Sequence, residues 1–393
     1  MSEAREPIVP DEGYVGLTRA EPGLPASWYY DPAQYELELK RIWHRNWVYA
    51  CRANEIPAAR DWRRFDFAGQ SVILLRDEAG ALQAFHNTCR HRGATLCTGG
   101  NGRFTSAGIV CPYHAWRYDM QGRLRKVTSQ FEPAGFDRKD WSLYPVQVRE
   151  WNGLVFVCLA ADPPPFGSMF DAPADRLDAW NMAGLATGHT FTKTIRCNWK
   201  AFWENYNECL HCPGVHPELC KLVPVYGRGL QDIHEDPHWQ SHAGSTEPRF
   251  RGGLRAGART WSASGEVCGL PFPGLTEDDR NAGHVYVTIM PSMFVAAHID
   301  YVRVVRLLPL APELTELRAE YLFLPETLAD PTRKLDPIYQ VTQQVMLEDG
   351  HVCELNQQGL KAAPHRAGLL MPEEYLLRDL HAWLRAQLAD TRG

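Results

Sequence analysis

Residues 89–114 read CRHRGATLCTGGNGRFTSAGIVCPYH. The stretch holds two mixed pairs, Cys89 with His91 and Cys111 with His114, with nineteen residues between His91 and Cys111. Each pair lies in a tight turn rich in Gly or Pro, between strand-like runs. Thiolates are strong, soft donors for ferric iron, whereas neutral imidazoles leave an iron more electron-poor. Two cysteines on one iron and two histidines on the other make a [2Fe–2S] cluster of higher potential than an all-cysteine one. Backbone N–H groups in such turns can donate to the sulfurs and stabilise the reduced state. Zinc is the competing reading, but its usual signature opens on a close Cys pair and ends on histidines. Here each half is mixed.

The 393 residues leave room for two domains. At 45% hydrophobic and 22% charged, with a net charge of −6, the composition suits a globular protein and offers no basic surface for nucleic acid or anionic membrane. No run reaches eighteen apolar residues, and MSEAREPIVPDEG lacks the segments of a signal peptide, so a cytoplasmic protein is expected. Eleven cysteines in a reducing compartment read mostly as small buried hydrophobes, with a few reserved for metal.

Residues 35–51 predict an amphipathic helix running into a strand. From Arg64 to about Val157, short strand-like runs split by Gly, Asn and Asp turns predict a small all-β module, closed by DPPPFG at 162–167. Helical signal follows at 171–188 and 200–212, long alternating runs at 284–325 predict antiparallel strands, and two late segments are helical. The expected class is α+β: an N-terminal helical segment (1–44) packing on the catalytic domain, a β module (45–160), and a larger domain (161–393) whose antiparallel sheet is covered by helices in a helix-grip-like arrangement.

CRHRG at 89–93 and CPYHAWRYDMQG at 111–122 resemble the two cluster-binding loops of Rieske oxygenases, the ring-hydroxylating and N-demethylating family. The resemblance extends from about residue 38 to 380. The loops alone also occur in ferredoxins and other Rieske proteins; the long remainder of this chain sets it apart.

That remainder contains NYNECLHCPGVHP at 205–217. An oxygen-activating iron needs two imidazoles and a carboxylate on one face, leaving the others open. His211 and His216 are candidate imidazoles. Five residues apart, they suit one continuous helix face poorly, but the Pro213-Gly214 pair can interrupt the helix between them. Cys209 and Cys212 read as small core residues; zinc held by both and a histidine is the alternative. The segment LEDGHVCELNQQGL, 347–360, resembles the family's late helix, which places the third ligand on Asp349, with Glu348 its main rival and Glu354 a weaker one. The resemblance makes Glu208 a bridge between an iron histidine and a cluster histidine of a neighbouring subunit, hence a homotrimer. Glutamate here, where most ring-hydroxylating members have aspartate, is similar to choline, betaine and carnitine oxygenases. Asn205 is placed beside the iron and Tyr206 in the pocket.

The resemblance implies a terminal oxygenase: electrons enter at the cluster, and mononuclear Fe(II) activates O2. No dinucleotide fingerprint is present, since GGNGRF at 99–104 lies between the cluster loops. NAD(P)H therefore acts through a separate reductase of flavin or ferredoxin type. The expected reaction is hydroxylation of an N-methyl group of a quaternary ammonium or betaine substrate, with loss of formaldehyde. Trp203, Tyr206, Trp261, Phe272 and Phe294 are candidate walls for such a cation, with Trp239 and Tyr301 in reserve. The segment 241–265 is a further candidate wall, and its four arginines would meet a carboxylate, of a betaine or of an aromatic acid, or simply face solvent. Hydroxylation of an aromatic acid, by monooxygenation or dioxygenation, is the alternative reaction; a Rieske electron carrier without oxygenase activity is the alternative class.

Overall fold

The structure is a computed structural model that describes residues 9–105 and 108–389. The chain divides into two compact units. One takes the described residues up to Arg41, Ala172–Thr288, and Phe294 onwards; the other takes Ile42–Asp171 with Ile289–Met293.

The second unit is the all-β module. A four-stranded sheet runs in the order Leu82–His86, Gln70–Arg76, Asp61–Phe67, Asn101–Arg103, and its pairs are antiparallel. A three-stranded sheet joins Gln147–Trp151, Leu154–Cys158 and Val48–Arg52. Asn152 and Gly153 turn the first of these hairpins with φ of +47° and +75°, the left-handed pair that a two-residue hairpin loop requires. Short strands Ile109–Val110, Arg117–Tyr118 and Leu124–Lys126 complete the module. Ile73, Leu75, Phe85 and Tyr118 pack in the core that carries both cluster loops.

In the other unit a five-stranded sheet has the order Ala186–Ile195, Leu314–Phe323, Val302–Ala311, Met293–Ala297, Val285–Ile289. The long helix Asp336–Gly359 packs on it, with the Tyr321 and Thr342 hydroxyls 2.8 Å apart. The helix Trp199–Tyr206 starts at Asn198, whose side chain accepts from the Lys200 N–H. Lys200 and Glu38 are both wholly buried, Nζ lying 2.7 and 2.8 Å from the two carboxylate oxygens. Asn198 Oδ1 accepts from Nζ, and the Trp199 indole N–H and Gln34 Nε2 donate to the Glu38 carboxylate. Burial lowers the Lys200 pKa and Glu38 opposes that shift. Removing one partner of such a pair costs about 3–5 kcal/mol. Glu38 closes the helix Pro32–Glu38, so this ion pair ties the N-terminal segment to the helix that carries Asn205.

One local expectation is corrected. The predicted helix at 171–188 is instead two short 3₁₀ turns, Asp178–Trp180 and Met182–Gly184, followed by a strand from Ala186. Asn181 between them has φ +44°, which no helix continues through. The helix expected in 35–51 does lead into a strand, Val48–Arg52, by way of a π-helical turn, Leu39–Trp43, that follows the α-helix Pro32–Glu38.

Candidate metal centres and substrate pocket

The two cluster loops close on themselves. The Cys89 N–H donates to the Ala94 carbonyl at 2.8 Å and Gly93 N–H returns to the Cys89 carbonyl at 2.9 Å. In the second loop Cys111 N–H donates to Trp116 O at 2.8 Å, and Ala115 N–H to Cys111 O at 3.0 Å. Gly93 and Ala115 take positive φ, which lets each loop reverse sharply. The cysteines are buried, whereas His91 is exposed and His114 half-buried. The two imidazole rings lie 4.6 Å apart between centroids, and His91 stacks on Trp116 at 4.7 Å. The Tyr118 hydroxyl sits 3.3 Å from Cys89 Sγ, and burial raises the pKa of that thiol. Two deep thiols, two imidazoles at the rim and a hydroxyl positioned on a sulfur fit a Rieske cluster's asymmetric donor set.

His211, His216 and Asp349 each offer one ligand atom, all within 4.8 Å of one another. His211 Nε2 and His216 Nε2 are 3.2 Å apart; Asp349 Oδ1 is 2.8 Å from the second and 3.4 Å from the first. The helix breaks at His216 itself, with φ −119° and ψ 63°, between the turns Cys212–Val215 and Pro217–Leu222. Pro217 forces that break, because the residue before a proline is driven out of the α region. Pro213, at the first turn, is tolerated.

Around the triad each outer ring nitrogen has an acid. Glu208 Oε1 lies 2.5 Å from His211 Nδ1, and its other oxygen accepts the His211 backbone N–H at 3.2 Å. Glu348, the rival ligand, lies 2.7 Å from His216 Nδ1 and is steadied by Gln344 at 2.8 Å. Neighbouring acids thus face opposite nitrogens of one imidazole, Asp349 inward and Glu348 outward. Asn205 Nδ2 is 3.3 Å from His211 Nε2. Glu354 is turned away, accepting the Arg196 N–H. Cys209 and Cys212 are not two free core thiols. They are joined in a disulfide, their Cα atoms 5.0 Å apart, which removes both as zinc thiolates.

Burial alone would lower the His211 pKa, but Asp349 and Glu208 outweigh it and raise the value to about 9. Asp349 moves the other way: burial would raise it, and the two histidines hold it below the usual range. A metal needs neutral imidazole. Iron-free protein is therefore expected to gain metal affinity as pH rises from about 7, by up to roughly tenfold per unit, levelling near pH 9. The same shift stabilises the iron-free fold below the ordinary value of 6.5, and that contribution is lost as pH rises through about 9. Metal titrations and melting curves across this window check both signs; a flat affinity profile would contradict the coupling.

An aromatic group approaches the triad at Tyr286, whose phenol pKa is raised by burial first and also by the Asp349 charge. Tyr206 stacks on Phe294 at 4.2 Å, Trp203 meets Tyr206 edge-on at 5.4 Å, and Tyr286 lies 6.0 Å from Tyr206. Trp261 joins through Tyr286 at 6.2 Å. Phe272 is buried with its N–H on the Ile299 carbonyl and makes no ring contact with the group; Trp239 packs on His234. Three of the four arginines of 249–259 follow the solvent-facing reading. Arg249, Arg251 and Arg259 are exposed, and Arg255 bonds the Ser264 carbonyl. Tyr286 lies in the alternating strand run, where one tyrosine reads like any other core ring.

The ring hydroxylating alpha subunit (catalytic domain) model matches residues 182–390, and the Rieske [2Fe-2S] domain model matches 46–137. The chain belongs to the ring hydroxylating alpha subunit family. It is 28% identical to the glycine betaine monooxygenase oxygenase subunit of Chromohalobacter salexigens, over 88% of this chain and 81% of that one. To the chloroplastic choline monooxygenase of Beta vulgaris it is 25% identical, over 93% and 76%. A quaternary ammonium Rieske monooxygenase crystallised with L-carnitine superposes with a TM-score of 0.69 at 19% identity, covering 96% of this chain and 97% of that one, a likeness of fold. As in this alpha subunit family, the chain pairs a small β-rich Rieske domain with a larger α+β catalytic domain. No helix among the described residues is long and apolar enough to cross a membrane.

Proposed function

We propose that the protein is the terminal oxygenase of a multicomponent system that removes an N-methyl group from a quaternary ammonium compound. The carrying observation is the aromatic group of Trp203, Tyr206, Tyr286 and Phe294 next to the His211–His216–Asp349 triad. A quaternary ammonium ion has no hydrogen-bond donor, and aromatic faces are its natural receptor. Relatives named for glycine betaine, choline and carnitine support the same substrate class.

When bound, the cluster supplies electrons one at a time and the mononuclear iron supplies oxygen activation. Cys89, Cys111, His91 and His114 would hold the cluster; His211, His216 and Asp349 would hold the iron. Glu208 and Glu348 fix the ring orientation of the two iron histidines, and Asn205 reaches the open side near His211. One oxygen atom enters a methyl C–H bond, while the other leaves as water with two electrons and two protons. The resulting hydroxymethyl ammonium releases formaldehyde and a proton, leaving the tertiary amine. The electrons come from an NAD(P)H-dependent reductase. The working unit is a homotrimer, in which Glu208 also meets a cluster histidine of the neighbouring chain.

Iron-loaded protein, chemically reduced without oxygen, is given one pulse of oxygen with choline, glycine betaine, carnitine and simple aromatic acids. A demethylated amine with equimolar formaldehyde is the expected product. A hydroxylated ring without formaldehyde would replace this reading with aromatic-acid hydroxylation.

A further inference from the structure

Arg303 is a buried cation without a counter-charge. It lies on the strand Val302–Ala311 and is 3% exposed, and its Nε and Nη1 have no hydrogen-bond partner. Arg306, three residues along the same strand, has Glu316 at 3.0 Å; Arg303 has no such carboxylate among the described residues. The Tyr286 and Tyr321 side chains face its guanidinium, but both phenol pKa values are raised, by burial first, so neither supplies a negative charge. An unpaired buried charge is strongly destabilising, so its persistence calls for an anion from outside.

Three more unsatisfied polar atoms gather in the same place: the Trp261 indole N–H, His284 Nδ1 and His298 Nε2. The Trp261 ring lies 5.2 Å from that of His284 and 5.5 Å from that of His298. Burial first, and then the Arg303 charge, lowers His284 to about 4 and His298 well below its ordinary value. Both rings are therefore neutral near pH 7, and the group carries a single positive charge. Arg303 and Trp261 can only donate, and His284 can present an N–H at Nδ1, whereas the His298 Nδ1–H faces the Gly283 carbonyl at 3.3 Å and leaves its Nε2 an acceptor. Tyr286 joins this donor group to the aromatic group near the iron, with its ring 5.4 Å from His284 and 6.0 Å from Tyr206. One end of this connected set of side chains thus suits a cation and the other a monoanion.

We infer that Arg303, assisted by the Trp261 N–H, receives a substrate carboxylate, so that the substrate is a small betaine carrying both charges and not an amino alcohol. The inference rests on the oxygenase reading above and narrows it. The bidentate fork of an arginine matches a carboxylate and offers nothing to a hydroxyl-terminated cation but repulsion.

The test measures binding of glycine betaine, choline and benzoate to the iron-loaded holoenzyme by calorimetry, for wild type, Arg303→Gln and Arg303→Lys. Wild type is expected to bind glycine betaine in preference to choline. Arg303→Gln should weaken the betaine at least roughly thirtyfold and leave choline unchanged, with Arg303→Lys intermediate. Substrate-free Arg303→Gln should also melt at a higher temperature than wild type, since it removes an uncompensated buried charge. A merely structural arginine would give the opposite, and a variant that melts lower or fails to fold overturns the assignment. Choline bound as tightly as glycine betaine, or betaine binding indifferent to Arg303→Gln, overturns it too. Benzoate bound in an Arg303-dependent manner, with neither ammonium compound bound, would keep the carboxylate receptor and overturn the quaternary ammonium reading instead.

Discussion

Asp349→Ala is expected to lose the mononuclear iron and all oxygen-dependent turnover while leaving the cluster's visible absorption unchanged. Its Oδ1 is the atom that meets both histidine Nε2 atoms, at 2.8 and 3.4 Å. It is also the anionic member of the set, and no neutral substitute restores that charge. Two imidazoles alone are a weak site for ferrous iron, which takes a carboxylate with two histidines in oxygenases of this class. Iron analysis should fall from three atoms per chain to two. Glu348→Ala makes the contrast. That residue bonds the outer nitrogen of His216, where removing a supporting acid costs roughly 10–100-fold in affinity or activity and not the ligand itself. Three irons retained in Asp349→Ala, with loss in Glu348→Ala, would exchange their roles.

Glu208→Gln is expected to keep both metals and lose nearly all turnover driven by the reductase. The carboxylate uses both oxygens on His211, one for the ring nitrogen and one for the backbone N–H. An amide has one acceptor in place of two, so one of those bonds must fail, and so must any further bond to a cluster histidine of another chain. A loss of at least roughly 10–100-fold follows from the support of His211 alone. The informative comparison is single turnover by fully reduced protein. If Glu208 carries the coupling, this should suffer much less than steady-state turnover. Normal steady-state rates would remove Glu208 from the electron route.

The cluster loops were legible because all four donors fall in two contiguous turns, each marked by Gly or Pro. His211 and His216 were legible for the same reason, although the break was expected between them and falls at His216, where Pro217 follows. Periodicity could not choose between Asp349 and Glu348, since adjacent residues on a helix can straddle a single imidazole, as these do. Residues 171–188 misled because Ala, Leu and Asp there suit a helix locally, while Asn181 turns left-handed and the strand begins at Ala186. Arg303 was not legible at all. In the strand it is one of two arginines in an apolar run, and its meaning depends on Trp261, His284 and His298, which arrive from other segments of the chain.

The Lys200–Glu38 pair also bears on how such enzymes can be recombined. The catalytic unit begins before the Rieske module and resumes after it, and a buried ion pair is among the contacts that join its two stretches, beside the strand pair Glu21–Pro25 with Ala367–Leu370. A chimera that fuses a foreign N-terminal half to this catalytic half at a single crossover would inherit the lysine without its glutamate. Exchange of the Rieske module alone, through two seams near Ile42 and Asp171, keeps the pair intact. In a shuffled library the survivors are expected to be double crossovers.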